Sequence, residues 1–385
     1  MEFFISCPIG FEEELLRELK EVWPRLLGRD ARPNIESLPE IKIVKGGVEL
    51  VCDPTLGIQL QFFLKTANRV LVRLSRFRCR DFPSLFQKVV NLKWLEYVSA
   101  PPQDLKIEAS ASRLNNEKRI AQVFSEALAK VKWSQSSSQY SLYVRVHDDQ
   151  VVISLDLSGE HLHKRGWGVY KGEAPIRETI AAFALRRLCY WQEQKKLQNL
   201  AFWDPFCGSG TMVFEAAMLN VGPMKRHFHH LAFKKTPKLF ATEKWALNYK
   251  QSVKPSFSHF FGSDISSEVL KLAHQNLEIL KAQYPEIKVP VAFAEQGFAS
   301  AQFPQRELQY ALLMNPPYGE RIEGDQVKFV KSLSDFLERN SQVHIWGLLA
   351  PSAFHPTKVK SFRCLERKSL KNGGLAIELS IWARD

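Results

Sequence analysis

A short run of residues near position 315 has the composition of a site that handles an amino group. Tyr310–Met314 is apolar and predicts a buried strand, and Asn315-Pro316-Pro317-Tyr318 follows it directly. Two consecutive prolines remove two N–H donors and rigidify the turn. The side-chain carbonyl of Asn315 and the backbone carbonyl of Pro316 can then face one small group beside the ring of Tyr318. This arrangement suits an amino group on a planar base, because two acceptors bind its hydrogens and free the nitrogen lone pair.

A glycine-rich turn follows another apolar run. Leu200–Trp203 precedes Asp204, and Gly208-Ser209-Gly210 leads into a predicted helix, Thr211–Leu219. Such glycines permit a tight turn and let the backbone of an α/β sheet approach a nucleotide-like ligand. No Walker-type lysine follows, which argues against a phosphate-binding loop.

A third chemical position is Asp264, at the end of the predicted strand Phe260–Ser263 and ahead of the helix Ser266–Gln283. An acid at this place in such a fold can hold both hydroxyls of a ribose. Taken alone, Asp264 could equally cap the helix. Together with the glycine-rich turn, it is a credible ribose ligand.

These positions need a parallel sheet to bring them together. From Ala174 onward, long helices alternate with buried strands, which is typical of βαβ units. The strand Leu375–Trp382 is expected to close the sheet beside Gln342–Ala350 as an antiparallel edge.

The front part of the chain differs, because short strands alternate there with short helices. It predicts an α+β, ferredoxin-like arrangement, with a hairpin turn at Asp148-Asp149. The predicted strands are Glu2–Ser6, Ile41–Val51, Val70–Arg78, Leu105–Ala109, Leu142–His147 and Val151–Leu157. The predicted helices are Gly10–Trp23, a stretch ending near Leu64, Phe82–Leu92 and Asn115–Val131.

In their order along the chain, Asp204–Thr211, Asp264 and Asn315–Arg321 resemble the motifs of class I S-adenosylmethionine-dependent amino-methyltransferases. With the upstream stretches Leu162–Trp167 and Ala174–Glu178, the chain resembles a narrower group over essentially its whole length. These are RNA guanine-N2 methyltransferases with an N-terminal THUMP domain, in the bacterial branch that modifies large-subunit ribosomal RNA.

The resemblance implies a fold and a domain order. The fold is α/β, with a C-terminal class I, Rossmann-like methyltransferase domain preceded by an α+β ferredoxin-like and THUMP RNA-binding region. The implied segments are 1–64 (ferredoxin-like), 65–157 (THUMP), 158–173 (linker) and 174–385 (methyltransferase). The implied reaction is a direct displacement that methylates the exocyclic N2 amine of a guanosine.

The resemblance also implies roles for single residues. S-adenosylmethionine is the implied cofactor, and Asp264 would hold its ribose hydroxyls. Asn315, Pro316 and Tyr318 would position the target base as the catalytic residues. The implied cofactor-binding residues are Asp204, Phe206, Cys207, Gly208, Gly210, Thr211, Asp264, Ile265 and Gln296, with Pro175, Arg177, Glu178 and Thr179 closing over the methionine end.

One position departs from the family pattern. After the strand Val289–Ala294 the family commonly places an acid that accepts from the adenine amino group, and Gly297 stands there instead. Either Gln296 or a backbone carbonyl is expected to take over that contact, or adenine is held more weakly.

The charge points to a polyanionic partner. Lys and Arg outnumber Asp and Glu by 53 to 41, a formal net charge of +12, which suits nucleic acid or an anionic membrane face. Lys65–Arg80 holds six basic residues and no acid, which favours phosphate contacts over a solvated edge strand. Pro223–Phe260 mixes basic and aromatic residues, which suits single-stranded RNA, although packing on the sheet explains its aromatics equally well. The predicted RNA-binding residues are Lys65, Arg69, Arg73, Arg76, Arg78, Arg80, Lys164, Arg165, Lys234 and Lys235.

Several classes are excluded by missing features. No run approaches the ~18–20 apolar residues of a membrane span, and the N-terminus lacks the features of a signal peptide. The six cysteines are scattered, which fits free thiols in a reducing cytoplasm. No metal is predicted, because a basic loop explains His227, His229 and His230 better.

Four other functions stay open at this point. A transfer-RNA guanine-N2 methyltransferase would differ only in its substrate. An adenine-N6 DNA methyltransferase shares Asn-Pro-Pro-Tyr but should carry a DNA-reading domain. A glutamine-modifying protein methyltransferase would not need the basic charge, and an RNA-binding assembly factor would have lost catalysis.

Overall fold

The structure, a computed structural model, describes residues 1–27, 38–172, 176–241, 255–285, 290–317, 326–372 and 374–385. Contacts divide the chain into two compact units. The first comprises Met1–Leu162 with Arg226–Lys250, and the second comprises His163–Lys225 with Gln251–Asp385. Each unit is built on a seven-stranded sheet.

The first unit has a mixed sheet of order β2-β3-β1-β4-β7-β6-β5, in which β5 and β6 pair parallel and the other neighbours antiparallel. Its strands are β1 (Glu2–Ser6), β2 (Ile41–Val44), β3 (Gly47–Val51), β4 (Arg69–Arg78), β5 (Asp104–Ser110), β6 (Ser141–His147) and β7 (Gln150–Asp156). Its helices are α1 (Glu12–Leu27), α2 (Pro54–Phe63), α3 (Phe82–Val90) and α4 (Glu117–Leu128). The α+β character predicted for this part of the chain is confirmed.

Two details of the first unit differ from the sequence-based expectations. The single strand expected over Ile41–Val51 is a hairpin, because Gly46 adopts a φ of 82° that turns the chain between β2 and β3. Strand β1 pairs with both β3 and β4, so residues on either side of the boundary expected at 64/65 share one sheet. The hairpin turn at Asp148-Asp149 is confirmed, with φ values of 49° and 58°.

The second unit has the sheet order β10-β9-β8-β11-β12-β14-β13, parallel from β10 to β12. Its strands are β8 (Ala201–Asp204), β9 (Phe260–Asp264), β10 (Val291–Glu295), β11 (Tyr310–Met314), β12 (Val343–Ala350), β13 (Phe362–Asn372) and β14 (Leu375–Arg384). Its helices are α5 (Glu178–Gln194), α6 (Thr211–Met218), α7 (Ser267–Gln283) and α8 (Gln326–Arg339). The predicted Rossmann-like class is confirmed, and the strand order reverses between β8 and β11, where such sheets bind ligands.

The far edge of this sheet corrects one prediction. Strand β14 pairs antiparallel with β12 as expected, but β13 lies outside it and forms the edge. The segment Phe362–Asn372 was not predicted as a strand because charges interrupt its apolar residues, and charged side chains are common on edge strands. Its basic residues are Arg363, Arg367, Lys368 and Lys371.

The core of the second unit lies on both faces of the parallel strands. All five residues of β11 are buried, as expected for a central strand covered by helices on both sides. Trp203 packs against Tyr310 and Phe336, with ring centroids 6.1 and 6.0 Å away. This packing joins β8, β11 and α8, and the candidate active site lies at the carboxyl ends of the two strands.

Within the ranges that the structure covers, no helix is long and apolar enough to cross a membrane. The same residues include no group of three or more His, Cys, Asp or Glu side chains arranged to hold a metal ion.

Candidate active site

The turn after β8 begins with a buried carboxyl group. Asp204 is 2% exposed, and its Oδ1 accepts a hydrogen bond from the Phe206 amide at 3.0 Å. Burial raises the pKa of Asp204 to about 8; the Phe206 hydrogen bond opposes this rise and the Asp264 charge adds to it. Burial therefore favours the protonated form of Asp204.

The two glycines of this turn have different constraints. Gly208 and Gly210 adopt φ values of 52° and 89°, in the left-handed region that favours glycine. A Cβ on Gly210 would lie 2.5 Å from the Phe214 ring, whereas a Cβ on Gly208 would meet nothing within 4 Å. The absence of a side chain at Gly210 therefore lets the Phe214 ring pack closely at the start of α6. The absence of a side chain at Gly208 leaves the space in front of the turn open.

Asp264 joins two turns. Its Oδ2 accepts from the Gly208 amide and its Oδ1 from the Ser266 amide, each at 3.0 Å. Helix α7 is capped by the Ser266 side chain, which accepts from Val269 N at 3.3 Å, so Asp264 is not the cap. A carboxylate oxygen has two lone pairs, so both oxygens can still accept from a ribose hydroxyl.

The residue after β9, Ile265, supplies an apolar surface beside the loop that follows β10. Ile265 is 77% exposed, and a Cβ on Gly297 would lie 3.4 Å from its Cδ1. The carboxamide of Gln296 is already engaged, because its Nε2 donates to Gln302 O at 3.2 Å and its Oε1 accepts from Gln302 N at 3.0 Å. This geometry argues against a contact between the Gln296 carboxamide and adenine.

The start of α5 presents buried polar atoms without partners. Glu178 is 3% exposed and Thr179 is 1% exposed. Among the described residues, Oε2 of Glu178 and Oγ1 of Thr179 have no hydrogen-bond partner. Burial raises the pKa of Glu178, partly offset by Lys171, whose Nζ lies 3.4 Å from its Oε1. Arg177 occupies the N-cap position of α5, and Pro175 lies outside the described residues.

The turn after β11 carries a third unpartnered atom. Oδ1 of Asn315 is buried, and none of the described residues gives it a hydrogen bond. Pro316 is buried behind it. Strand β11 lies between β8 and β12, so Asn315 follows the strand next to the glycine-rich turn. The predicted catalytic residue Tyr318 falls outside the described residues.

The segment predicted as a linker is divided between the units. Residues up to Leu162 belong to the first unit, and His163–Lys225 belongs to the second. Residues 165–172, which we call the strap, are fixed to the second unit. Arg165 is 3% exposed and forms an ion pair with Glu215 of α6, with Nε 3.0 Å from Oε1. The prediction that Arg165 binds RNA is therefore wrong, because its guanidinium is buried against a carboxylate.

The basic residues of β4 also need correction. Arg73 is buried between Glu49, 3.0 Å away, and the Phe4 ring, and Arg69 pairs with the buried Asp156. Lys65 is 3% exposed. These three side chains are therefore structural, and the prediction that they bind RNA is wrong.

Other predicted RNA-binding residues remain accessible. Arg76 and Arg80 are exposed but pair with acids, Arg76 with Glu2 at 2.7 Å and Arg80 with Asp149 at 2.7 Å. Four further predicted RNA-binding residues have exposed side chains: Arg78, Lys164, Lys234 and Lys235. Lys234 and Lys235 are oriented by the first unit: Nζ of Lys234 donates to Leu95 O at 2.7 Å, and Lys235 lies over the Tyr97 ring.

The described aromatic rings between residues 228 and 240 pack inside the first unit. Phe228, His230 and Phe240 surround the Phe62 ring, with centroids 4.8, 5.3 and 5.9 Å away. Phe233 is 1% exposed. These rings therefore make core contacts and do not form a surface for stacking RNA bases. This agrees with the alternative interpretation of the sequence, in which the aromatic residues pack inside the protein. Residues 242–254 lie outside the described residues.

Sequence reasoning missed Asn276. It is 1% exposed on the buried side of α7, between Ala273 and Leu277, and it bonds to the strap and to Ser209. A signal was available, because an asparagine at helical spacing among apolar positions must have a buried partner.

The residues present fit S-adenosylmethionine. A space without side chains faces Gly208, Asp264 keeps acceptor capacity for ribose hydroxyls, and Ile265 offers an apolar surface. The unpartnered carboxyl oxygen of Glu178 suits an ammonium group, such as that of a methionine moiety. A buried acceptor on Asn315 remains for a second molecule.

Comparisons with known proteins agree with this arrangement. The family profile described as UPF0020, RMKL-like, methyltransferase domain, matches residues 165–376. The ribosomal RNA large subunit methyltransferase K/L of Psychromonas ingrahamii is 29% identical over 343 residues, covering 84% of this chain and 42% of that protein. The putative RNA methyltransferase YpsC of Bacillus subtilis is 28% identical over 347 residues, covering 82% of this chain and 79% of that protein.

A solved structure extends the likeness to the whole fold. SMU.472, a putative methyltransferase in complex with SAH, matches with a TM-score of 0.78 at 20% identity, covering 100% of this chain and 98% of that chain. By contrast, the chain spans 42% of the length of the first K/L relative that it matches. The matched profile and the fit of the site identify S-adenosylmethionine as the cofactor.

Proposed function

Because the chain belongs to the RMKL-like methyltransferase domain family (UPF0020), we propose that it methylates the exocyclic N2 amine of a guanosine in large-subunit ribosomal RNA. S-adenosylmethionine supplies a methyl group carried on a positively charged sulfur. The chain would hold the amine nitrogen in line with that methyl group; S-adenosylhomocysteine would be the leaving group, and the proton lost by the methylated amine would pass to water. The proposed place of action is the cytoplasm.

The observation that carries this proposal is the unpartnered, buried Oδ1 of Asn315. A buried acceptor without a donor costs free energy, so it favours a ligand that brings an N–H group. Asn315 is a neutral amide and cannot take a proton at neutral pH. Its role is therefore to hold the amine by one hydrogen, while the carbonyl of Pro316 is proposed to hold the other.

Positioning is the main contribution proposed for the protein. Holding a nucleophile and an electrophile in line is worth about 7–11 kcal/mol in oriented intramolecular systems. The turn after β11 and the turn after β8 stand on neighbouring strands, with Leu312 registered against Trp203. Their separation is therefore fixed by the backbone hydrogen bonds of the sheet.

The target base must leave its helix to reach this site. A guanine amine is not accessible to a buried asparagine within paired RNA, so the base must be unpaired or flipped, at a cost of a few kcal/mol. Stacking on Tyr318, proposed to lie beside Asn315, would offset about 1–3 kcal/mol of that cost.

RNA is the substrate class that the charge and the relatives favour. The net charge of +12 suits a polyanion. The names of two relatives, an rRNA methyltransferase of Psychromonas ingrahamii and a putative RNA methyltransferase of Bacillus subtilis, support the same class. We propose that the first unit is a THUMP-like RNA-binding region, and that Arg78, Lys234 and Lys235 contact phosphates there.

The substrate can be tested with labelled methyl donor. The full chain is incubated with tritiated S-adenosylmethionine and, in separate reactions, unmodified large-subunit ribosomal RNA, unmodified transfer RNA and duplex DNA. The proposal predicts label in the ribosomal RNA only. Label in transfer RNA would keep the chemistry but overturn the ribosomal substrate, and label in DNA alone would overturn the RNA assignment.

A further inference from the structure

Asn276 of α7 makes three side-chain hydrogen bonds to two backbone segments. Its Oδ1 accepts from Tyr170 N at 3.0 Å, and its Nδ2 donates to Tyr170 O at 2.8 Å and to Ser209 O at 3.1 Å. Tyr170 belongs to the strap, and Ser209 lies between the two glycines of the turn after β8. One buried carboxamide therefore ties the strap to the cofactor turn.

The strap is attached at three further points. Arg165 forms its buried ion pair with Glu215 of α6. The Trp167 ring is buried in a cluster with side chains of α6 and α7. Nζ of Lys171 lies 3.4 Å from Oε1 of Glu178, at the start of α5. The strap thus contacts the three helices whose ends surround the proposed cofactor space.

Two contacts of the strap involve residues beside those proposed to hold the cofactor. Ser209 is flanked by Gly208, whose amide bonds to Asp264. Glu178 carries the unpartnered Oε2. Close packing keeps the strap beside this carboxylate, since a Cβ on Gly168 would lie 3.1 Å from Oε1 of Glu178. A displacement of the strap would therefore disturb both Ser209 and Glu178.

We propose that Asn276 is a positioning residue for S-adenosylmethionine, which acts by locking the strap onto the carbonyl of Ser209. Asn276 is 1% exposed, and both of its N–H hydrogens are donated to backbone carbonyls, so neither is left to bind the cofactor directly. Its effect is exerted through the backbone of Ser209 and Tyr170. This inference rests on the cofactor assignment and is independent of which RNA is methylated.

The test uses the isosteric change Asn276→Asp. Aspartate keeps the acceptor for Tyr170 N but cannot donate to Tyr170 O or Ser209 O when ionised. The dissociation constant of S-adenosylhomocysteine, measured by titration calorimetry on the full chain, is expected to rise about tenfold, which corresponds to about 1.4 kcal/mol. The rate at saturating S-adenosylmethionine is expected to stay within about threefold of the unmodified protein, because the bound geometry is restored by excess cofactor.

A matched control is Asn340→Asp. Asn340 also donates from a side-chain amide to a backbone carbonyl, Phe336 O at 2.6 Å, but it lies at the end of α8. The Asn340→Asp variant should leave the dissociation constant of S-adenosylhomocysteine unchanged. Equal weakening by Asn276→Asp and Asn340→Asp, or a fall in the rate without weaker binding, would overturn the positioning role.

A measurement without substitution covers the case in which Asn276→Asp does not fold. Hydrogen exchange of the Tyr170 amide in the unmodified chain should slow when S-adenosylhomocysteine is added, because ligand and strap stabilise each other. If S-adenosylhomocysteine binds but does not slow exchange of the Tyr170 amide, the positioning role of Asn276 is contradicted and the cofactor assignment is not. A chain that binds no S-adenosylhomocysteine at all would instead overturn the cofactor and the proposed function.

Discussion

The amide of Gly208 donates to Oδ2 of Asp264 at 3.0 Å, so the turn after β8 is fastened to the end of β9. The other oxygen of Asp264 holds the Ser266 amide, ahead of α7. One carboxylate thus sets the relative position of the glycine-rich turn and the proposed ribose site. Its structural and ligand-binding roles are inseparable in this fold.

Asp264→Asn is therefore expected to weaken cofactor binding by at least about tenfold. The amide places an N–H group opposite one of two backbone N–H donors, which leaves one of them unsatisfied. Titration of S-adenosylhomocysteine into the full chain measures the effect. Exposed Asp335 on α8 offers a control, since Asp335→Asn should bind normally. Unchanged affinity of Asp264→Asn would exclude Asp264 from the site.

Asn315→Ala should reduce methyl transfer on the order of 10²–10³-fold, the cost typical of losing one preorganised hydrogen-bonding group. The affinity for S-adenosylhomocysteine should stay within about twofold, because Asn315 is proposed to hold the amine and not the cofactor. Single-turnover transfer and calorimetry separate the two quantities. A parallel loss of both would contradict the role in holding the amine.

The two glycines should respond differently to alanine. Gly208→Ala is expected to cost about 1–2 kcal/mol of unfolding free energy for the left-handed backbone, and to weaken cofactor binding by placing a methyl group in the open space. Gly210→Ala adds an overlap with Phe214 and is expected to cost about 1–3 kcal/mol more. Urea unfolding of both variants provides the comparison. A Gly208→Ala chain that unfolds as easily as Gly210→Ala would contradict the described packing.

The stability of the cofactor-free chain should depend on pH through Asp204. Its folded pKa is about 8, above the unfolded value of 3.8. The folded chain therefore keeps a proton that the unfolded chain loses, and the contribution of this carboxyl falls as pH rises from about 4 to 8. Asp204→Asn should flatten that part of the profile, as measured by urea unfolding at several pH values. A profile as steep as that of the unmodified chain would show that Asp204 is ionised in the fold.

Arg165 and Arg78 should separate stability from RNA binding. Arg165→Ala leaves Glu215 buried without its partner and is expected to cost about 3–5 kcal/mol of unfolding free energy. Arg78→Ala, at an exposed position, should change stability by less than about 0.5 kcal/mol. It should instead reduce the slope of log affinity against log salt by about 0.7–0.9, the value of one lost phosphate contact.

Filter binding of ribosomal RNA at several salt concentrations measures this slope. A salt dependence that Arg78→Ala leaves unchanged would remove Arg78 from the RNA-binding surface. A stable Arg165→Ala chain with a reduced slope would restore the rejected RNA role of Arg165.

Much of the second unit could be predicted from the sequence, because its chemistry lies at the ends of buried parallel strands. Such strands form continuous apolar runs, and the predicted bounds of Tyr310–Met314 match those of β11. The positions of the glycine-rich turn and of Asp264 could be predicted in the same way, because each lies at the end of an apolar run that forms a buried strand. The edge strand β13 could not be predicted, because its alternation is masked by basic side chains.

Contacts between distant segments explain the failures. Lys65–Arg80 contains no acid, yet Arg73 meets Glu49 of β3 and Arg69 meets Asp156 of β7. Strand β7 pairs directly with β4, and β3 lies on the other side of β1, pairings between distant segments that no local stretch of sequence reveals. The strap looked like a linker for the same reason, since its partners Glu215 and Asn276 come from α6 and α7.

The nucleoside that receives the methyl group tests the central claim most directly. Large-subunit ribosomal RNA lacking its natural methyl groups would be treated with the full chain and trideuteromethyl-labelled S-adenosylmethionine, digested to nucleosides and analysed by mass spectrometry. The account predicts N2-methylguanosine carrying the deuterated methyl group, and its loss with Asn315→Ala. Label on adenosine, or on a ribose oxygen, would contradict the proposed chemistry of this site.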